Sequence, residues 1–252
     1  NIVCAQPSAI LDERGLSDFN WLWGQFITHE IDFTLTQNGR VGGTAAPEQA
    51  NIQIAEDDPV MGAPGGSQLR FFRSLYVNMT DEQGLQTREH PNSITTWIDG
   101  SSVYGSSVET SNWLRTFEDG KLKVSPNPWG DLLPVAQDDD QTAPPMSFVG
   151  FSADVRFIAG DSRANEHIAL MALHVLFIRE HNRLAEDIAE RNPDWSDEDI
   201  FQLARKLVAA QIQAITYEEF LPSLGVMLAP YSGYNSAINP EVTSSFATAA
   251  FR

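Results

Sequence analysis

The sequence is poor in cysteine, in positive charge and in long apolar runs. Its one cysteine, Cys4, cannot form an internal disulfide, so sulfur chemistry does not indicate a compartment. The 16 lysines and arginines face 34 aspartates and glutamates, and the resulting formal charge of -18 opposes binding to nucleic acid or to an anionic membrane surface. No stretch approaches the roughly 20 apolar residues of a membrane span. Cationic partners such as calcium fit this charge balance better.

The apolar residues that are present recur at helical spacing in three stretches. The first predicted helix begins at Ser17 and runs to about residue 32. The third begins at Ser196, where the run SDED places acids at the positive end of the helix dipole. It is predicted to run to about Phe220, before Pro222.

The second predicted helix is the longest. It runs from Ser162 to about Arg191, with Asp161 or Ser162 as its cap and Asn192 and Pro193 as its stop. At 1.5 Å per residue it would be roughly 40 to 45 Å long.

The remaining stretches predict loops and a few short strands. Residues 37 to 68 lack a sustained apolar period and predict loop, and residues 119 to 150 predict a long surface excursion. The segments 69 to 77 and 93 to 100 are short and favour strand. The prediction is a mainly α fold with few short strands and long loops, in a single domain over residues 1–252.

Two clusters of polar residues are predicted on helix faces. Gln25 and His29 are four residues apart on the first helix and project from one apolar face, so they could share a pocket. A histidine on such a face is also often a core residue. On the second helix an arginine, an acid and two histidines share a stripe, namely Arg163, Glu166, His167 and His174. This stripe is open to two interpretations, a site or a first-turn ion pair with an exposed histidine.

A third cluster lies in TTWIDGSSVYGS, residues 95 to 106. Thr95, Asp99 and Ser101 offer two hydroxyls and a carboxylate among free backbone carbonyls, which are oxygen ligands of the kind that calcium takes. The spacing is not that of an EF-hand, and an ordinary turn is the alternative.

Four segments together resemble the animal haem peroxidase superfamily, near its peroxidasin-like and myeloperoxidase-like branches. They stand in the family's order: WGQFITHEIDF at 23 to 33, TTWIDGSSVYGS at 95 to 106, AGDSRANEH through LFIREHNRLA at 159 to 185, and ARKLVAAQIQAITYEEFLPSLG at 204 to 225. The resemblance implies an oxidoreductase with haem b and Ca²⁺. It would reduce hydrogen peroxide and oxidise a small electron donor (halide, pseudohalide or phenol) through a ferryl intermediate, in an extracellular or secreted setting and in response to oxidative stress.

The resemblance also implies a role for each matched residue. His29 would be the distal base, Gln25 its neighbour in the pocket and Arg163 the distal arginine. Glu166 stands where many members ester-link the haem, and Arg252 is implied as a further cofactor-binding residue. A neutral imidazole can move a peroxide proton, and a permanent guanidinium charge can stabilise the departing oxygen.

In the family's calcium site the ligands would be Glu30, Thr95, the carbonyl of Trp97, Asp99 and Ser101. The family usually has aspartate where Glu30 stands. The longer side chain predicts altered geometry or affinity for calcium.

Three departures narrow these expectations. Thr28 and His167 replace the residues that make a second ester and a sulfonium bond in some relatives, which leaves at most one covalent link, through Glu166. The proximal histidine of the family follows a segment like SSFATAAFR, and none of the five histidines stands there. A second chain or a missing C-terminal segment would supply it. Recruitment of His167 or His174 to the iron is a third alternative, which is disfavoured because both are predicted on the helix of the distal arginine. The absence of an initiator methionine and of a signal-peptide pattern also predicts a processed or truncated chain.

Two alternatives remain at this point. One is a haem-dependent fatty-acid dioxygenase of the same superfamily. The other is a non-catalytic, calcium-stabilised module for adhesion or scaffolding.

Overall fold

The computed structural model describes residues 8, 11–35, 48–137, 139–147 and 157–250. Arg252, Asp138 and the stretch 36–47 lie outside the described residues, so the role implied for Arg252 stays a prediction. Backbone contacts divide the chain into two units, Asn1–Ile31 with Trp97–Pro240 and Asp32–Thr96 with Glu241–Arg252. The single domain over residues 1–252 likewise stays a prediction.

The first unit is helical, which confirms the predicted class. Its elements are α1 (Phe19–Ile31), α2 (Ser101–Tyr104), α3 (Val108–Leu114), α4 (Ile168–Arg191), α5 (Asp197–Ala214), a π-helical turn (Ile215–Phe220) and α6 (Leu221–Ser223). Helix α4 packs against α1, α2 and α5. In the described part of the chain, no helix is both long and apolar enough to span a membrane.

Helix α5 starts where the sequence predicts. Ser196 caps it in a reciprocal capping box, in which the Ser196 side chain accepts from the Asp199 amide and the Asp199 side chain accepts from the Ser196 amide. The helical run continues through Phe220 as predicted, in its last part as a π-helical turn. Pro222 does not end it, because Pro222 lies in the first turn of α6, where its missing N–H is tolerated.

The Ser196→Ala variant should therefore lower the free energy of unfolding by about 1 kcal/mol, because the Asp199 amide at the start of α5 loses its hydrogen-bond acceptor. Denaturant unfolding of the whole chain measures this loss. Ser196→Thr is the matched control, since it keeps the hydroxyl. Equal stability of the alanine and threonine variants would contradict the capping role.

The predicted start of α4 is wrong. Residues 161 to 166 form turns, and α4 begins at Ile168 with His167 as its cap, not Asp161 or Ser162. The imidazole Nδ1 of His167 accepts from the amide of Leu170 at 3.2 Å. With 24 residues, α4 is about 36 Å long rather than 40 to 45 Å. Asp161 causes the difference, because its carboxylate accepts from an amide two residues later and so favours a turn.

The core of the first unit forms where α1 meets α4. Phe26 is fully buried and stacks on Phe177, with ring centroids 5.3 Å apart. Four residues of the predicted surface excursion are buried in the same core: Leu122, Leu133, Ala136 and Met146. The prediction for 119 to 150 is wrong for these positions. Isolated backbone bridges at residues 122, 132 and 135 hold this irregular segment in place. Its sequence has no apolar period that would predict the burial.

The second unit contains two antiparallel hairpins. Strand β1 (Ile52–Ile54) pairs with β2 (Ser67–Leu69), with Ile52 opposite Leu69. Strand β3 (Val77–Thr80) pairs with β4 (Gln86–Glu89), with Val77 opposite Glu89. A π-helical turn (Phe246–Ala250) belongs to the same unit.

Three predictions about loops and strands need correction. The predicted loop 37 to 68 contains β1 and the start of β2, and the predicted strand 69 to 77 is a strand only at its two ends. The segment 93 to 100 is not a strand at all. At its end, the amides of Asp99 and Gly100 donate to the side chain of Glu30 rather than to a neighbouring strand.

Candidate functional site

Two elements of the first unit bring the predicted catalytic residues together. Helix α1 carries Gln25 and His29 on one face, as the spacing predicts. The turn before α4 carries Arg163 and Glu166, which contact α1 from a distance of more than one hundred residues in sequence. The predicted stripe along the second helix is wrong for its first members, since Arg163 and Glu166 are not helical.

Gln25 on α1 hydrogen-bonds to Glu166 in the turn before α4 and to His167, the residue that caps α4. Its Nε2 donates to Glu166 Oε2 at 2.8 Å, and its Oε1 lies 2.8 Å from His167 Nε2. Because the amide oxygen can only accept, His167 carries its proton on Nε2, which agrees with its Nδ1 accepting from the amide of Leu170. His167 is thus held by two hydrogen bonds, and Gln25 uses both ends of its amide.

His29 is buried and lies between two carboxylates. Its Nδ1 is 3.7 Å from Asp161 Oδ1 and its Nε2 is 3.9 Å from Glu166 Oε2, both too far for a direct hydrogen bond. Among the described residues Nδ1 has no hydrogen-bond partner. Burial, and then the positive charge of Arg163, lower the pKa of His29 to about 3, against the opposing charge of Asp161. The imidazole is therefore neutral near pH 7.

Arg163 is held by a buried aspartate that the sequence suggested only as a helix cap. Asp161 Oδ1 accepts from the backbone amide of Arg163 at 2.8 Å and from its Nε at 2.9 Å, and Oδ2 accepts from Nη2 at 2.7 Å. The same Nη2 donates to the carbonyl oxygen of His29 at 3.2 Å. Burial alone would raise the pKa of Asp161, but the hydrogen bonds and charge of Arg163 outweigh it and lower the pKa.

A second histidine lies deeper in the same core. His174 on α4 is almost fully buried and packs edge-on against Phe26, with ring centroids 5.3 Å apart. Neither of its ring nitrogens has a hydrogen-bond partner among the described residues. Burial lowers the pKa of His174 to about 4, although the charge of Asp161 opposes the shift. His174 is thus a neutral core residue and not part of a stripe with Arg163.

The residues predicted as calcium ligands are partly brought together. Glu30 is fully buried and accepts from the backbone amides of Asp99 at 3.0 Å and Ser101 at 2.9 Å. Ser101 Oγ donates to the carbonyl of Glu30 at 3.2 Å. The side chain of Trp97 is exposed, and Thr95 belongs to the second unit.

The surroundings of Glu30 are unusual for a carboxylate. Burial raises its pKa, hydrogen bonds from Ser102 lower it, and the charge of Asp99 raises it, with a net increase. Within the described ranges, no group of three or more His, Cys, Asp or Glu residues is placed to hold a metal ion.

The chain matches the family model described as animal haem peroxidase over residues 1–252. It is 36% identical to peroxidase mlt-7 of Caenorhabditis elegans over 238 residues, which are 91% of this chain and 31% of that protein. It is 34% identical to lactoperoxidase of Homo sapiens, with 96% of this chain and 37% of that protein covered. The chain thus spans less than half the length of these relatives.

Two solved structures show the same fold. Peroxidase A from Dictyostelium discoideum has a TM-score of 0.85 at 31% identity, and the match covers 98% of this chain and 48% of that one. Fatty acid alpha-dioxygenase from Arabidopsis thaliana has a TM-score of 0.64 at 24% identity, covering 87% of this chain and 29% of that one. The first likeness confirms the predicted fold, and the second shows a shared fold and nothing about the reaction.

Proposed function

The chain belongs to the animal haem peroxidase family, and we propose that it forms the distal, peroxide-handling side of a haem peroxidase that oxidises a small-molecule donor. The observation that carries the proposal is the convergence of Gln25, His29, Arg163 and Glu166 in the first unit. These four side chains come from a helix and a turn that are far apart in the sequence, so their meeting is a product of the fold.

The donor set suits a haem on this side of the pocket. His29 is buried, and its Nδ1 has no hydrogen-bond partner within the described ranges, while the Glu166 carboxylate nearby is partly exposed. Bound haem b would supply the iron at which peroxide is reduced, and Glu166 is the residue proposed for an ester link. Thr28 has no carboxylate to form such a link, and its hydroxyl donates to the Gly24 carbonyl within α1 at 2.9 Å.

The protein residues divide the acid–base and electrostatic work. A neutral His29 can take a proton from peroxide and pass it to the leaving oxygen. Arg163, fixed by Asp161, places a permanent positive charge beside His29, where negative charge develops. Gln25 positions Glu166 through a hydrogen bond.

The proximal iron ligand is proposed to come from a second chain or from a C-terminal segment. This is supported by the hydrogen bonds of two histidines of the first unit and by the burial of His174 against Phe26. His167 is bound by Gln25 and the amide of Leu170, and His181 lies between the hydroxyl of Tyr104 and the carbonyl of Gly120, each at 2.8 Å. The donor (halide, pseudohalide or phenol), the ferryl mechanism and the secreted location stay predictions.

The two alternatives have less support. The dioxygenase alternative draws on a likeness of fold alone. A non-catalytic scaffold has no need for a buried neutral imidazole beside a fixed guanidinium, so the geometry of His29 and Arg163 favours an enzyme.

Titration with haemin tests the proposal. We expect one haem per chain, a Soret band that shifts on binding, and peroxide-dependent oxidation of a phenolic dye, in the chain or in the longest product of its gene. His90→Ala is the matched control, because His90 is an exposed histidine in the second unit. Failure of both polypeptides to take up haemin would overturn the proposal.

A further inference from the structure

The end of α1 is tied to the start of α2 by one buried carboxylate. Glu30 Oε1 accepts from three successive backbone amides, those of Asp99, Gly100 and Ser101. Its Oε2 accepts from the amide of Ser102 at 2.8 Å and pairs with the Ser102 hydroxyl at 2.5 Å. Five hydrogen bonds therefore fill the two oxygens of a side chain that has no exposed surface.

This arrangement is built for an anion. Four consecutive N–H groups point their positive ends at the carboxylate, and such concave sets of amides attract negative charge and repel cations. The left-handed conformation of Gly100, with φ of 83°, turns the backbone so that the amides converge. A calcium ion placed against Glu30 would face the same positive ends.

The carbonyl oxygens of the loop are also committed. The carbonyl of Gly100 accepts from the amides of Val103 and Tyr104, each at 2.9 Å. The carbonyl of Ser101 accepts from Gly105 at 2.7 Å, and that of Ser102 accepts from Asp161 at 3.0 Å. Calcium needs six to eight oxygen ligands at about 2.3 to 2.6 Å, and this loop directs its oxygens elsewhere.

Glutamate rather than aspartate makes the difference. Its additional methylene extends the carboxylate into the amides of residues 99 to 102, whereas a side chain one carbon shorter would stop short of them. Two other expected donors are also engaged: Asp99 Oδ1 accepts from the Ser101 amide at 3.1 Å, and the Ser101 hydroxyl donates to the Glu30 carbonyl at 3.2 Å. Together with the amides on Glu30, these bonds do not fit the expected calcium donor set.

We infer that the Glu30 carboxylate takes the place of a calcium ion and ties α1 to residues 99 to 102, at the start of α2, without a metal. The same segment contacts the catalytic turn, since the carbonyl of Ser102 accepts from the amide of Asp161. The tie therefore positions the segments that carry His29 and Arg163. The inference does not depend on the proposed reaction, and it is tested without measuring activity.

The first test is the melting temperature of the metal-stripped chain in EGTA and in millimolar CaCl₂. A calcium ion at 100 times its dissociation constant would raise the melting temperature by about 5 to 10 °C. We expect a rise below about 1 °C. A rise of several degrees, or one tightly bound calcium per chain by metal analysis, would overturn the inference.

Two variants supply the matched comparison. Glu30→Asp shortens the side chain and should lower the melting temperature in EGTA by several degrees, while Asp99→Asn should leave the calcium-dependent shift as small as in the parent chain. If Glu30→Asp melts with the parent in EGTA, the amide contacts do not hold the loop and the inference fails. If Glu30→Asp does not fold, the calcium response of the parent chain and terbium binding beside Trp97 still decide the matter. Terbium luminescence that Asp99→Asn abolishes would overturn the inference.

Discussion

Replacing His29 with alanine is expected to slow peroxide consumption by about 10² to 10⁴-fold in the haemin-loaded protein, because the reaction loses its general base. Haem uptake should change little. The fold should survive the change, since neither ring nitrogen of His29 makes a hydrogen bond within the distance limit to the carboxylates beside it. Stopped-flow measurement gives kcat/KM for hydrogen peroxide, and haemin titration of the same variant measures haem uptake separately.

The effect of His29 can be checked against Arg163, which acts at the same place. Arg163→Lys keeps the positive charge but loses the planar fork that pairs with Asp161 through Nε and Nη2. We expect the double variant to lose less than the product of the two single losses, because residues that act as a unit are not additive. Multiplicative losses would show that His29 and Arg163 act independently, and kcat/KM within tenfold of the parent in His29→Ala would remove His29 from the mechanism.

Helix ends were predictable where a local side chain caps the backbone. Ser196 and Asn192 act within three or four residues of their own positions, so the sequence around them contains the whole signal. The start of α4 was not predictable by the same rule. Asp161 looks like a cap, yet its carboxylate is occupied by Arg163 and the helix begins seven residues later, behind His167.

The prediction of a surface excursion for residues 119 to 150 was wrong for a different reason. Leu122 and Leu133 are buried by contacts with α4 and its neighbours, which are distant in sequence and leave no period in the stretch itself. A segment of this kind looks like a loop to any argument based on spacing.

The site shows the same division between local and distant signals. The spacing of Gln25 and His29 predicted a shared face, and the structure brings both to the turn that carries Arg163. The hydrogen bond between His167 and Gln25 and the ion pair between Asp161 and Arg163 depend on side-chain geometry, which residue spacing does not predict. The one sequence signal for the pairing of Asp161 with Arg163 was that the aspartate lies two residues before the arginine.

The chain is also expected to lose stability steeply as the pH falls from about 6.5 to 4.5. Burial lowers the pKa of His29 to about 3, and burial lowers the pKa values of His174 and His181 to about 4. In the unfolded chain these histidines titrate near 6.5, so below that pH the unfolded state binds protons that the folded state refuses. The stability they contribute is complete above about pH 6.5 and is lost on acidification.

The size of the effect follows from the same pKa values. Each buried histidine costs about 1.4 kcal/mol per pH unit below 6.5, so at pH 5 the loss is on the order of 2 kcal/mol for each of the three. The raised pKa of Glu30 acts in the opposite direction and reduces the total, because a carboxyl with a raised pKa gains stability as it is protonated. Denaturant unfolding at a series of pH values measures the net slope.

His174 gives the sharpest test of this account, because it is almost fully buried and neither ring nitrogen has a hydrogen-bond partner among the described residues. His174→Leu keeps an apolar side chain of similar volume in the core and removes one titrating group. The slope of the unfolding free energy against pH should therefore fall by about 1.4 kcal/mol per pH unit, which corresponds to one proton. His90→Ala removes an exposed histidine and should leave the slope unchanged. If His174→Leu keeps the slope of the parent chain, His174 does not contribute to the acid lability, and the loss assigned to buried histidines is too large.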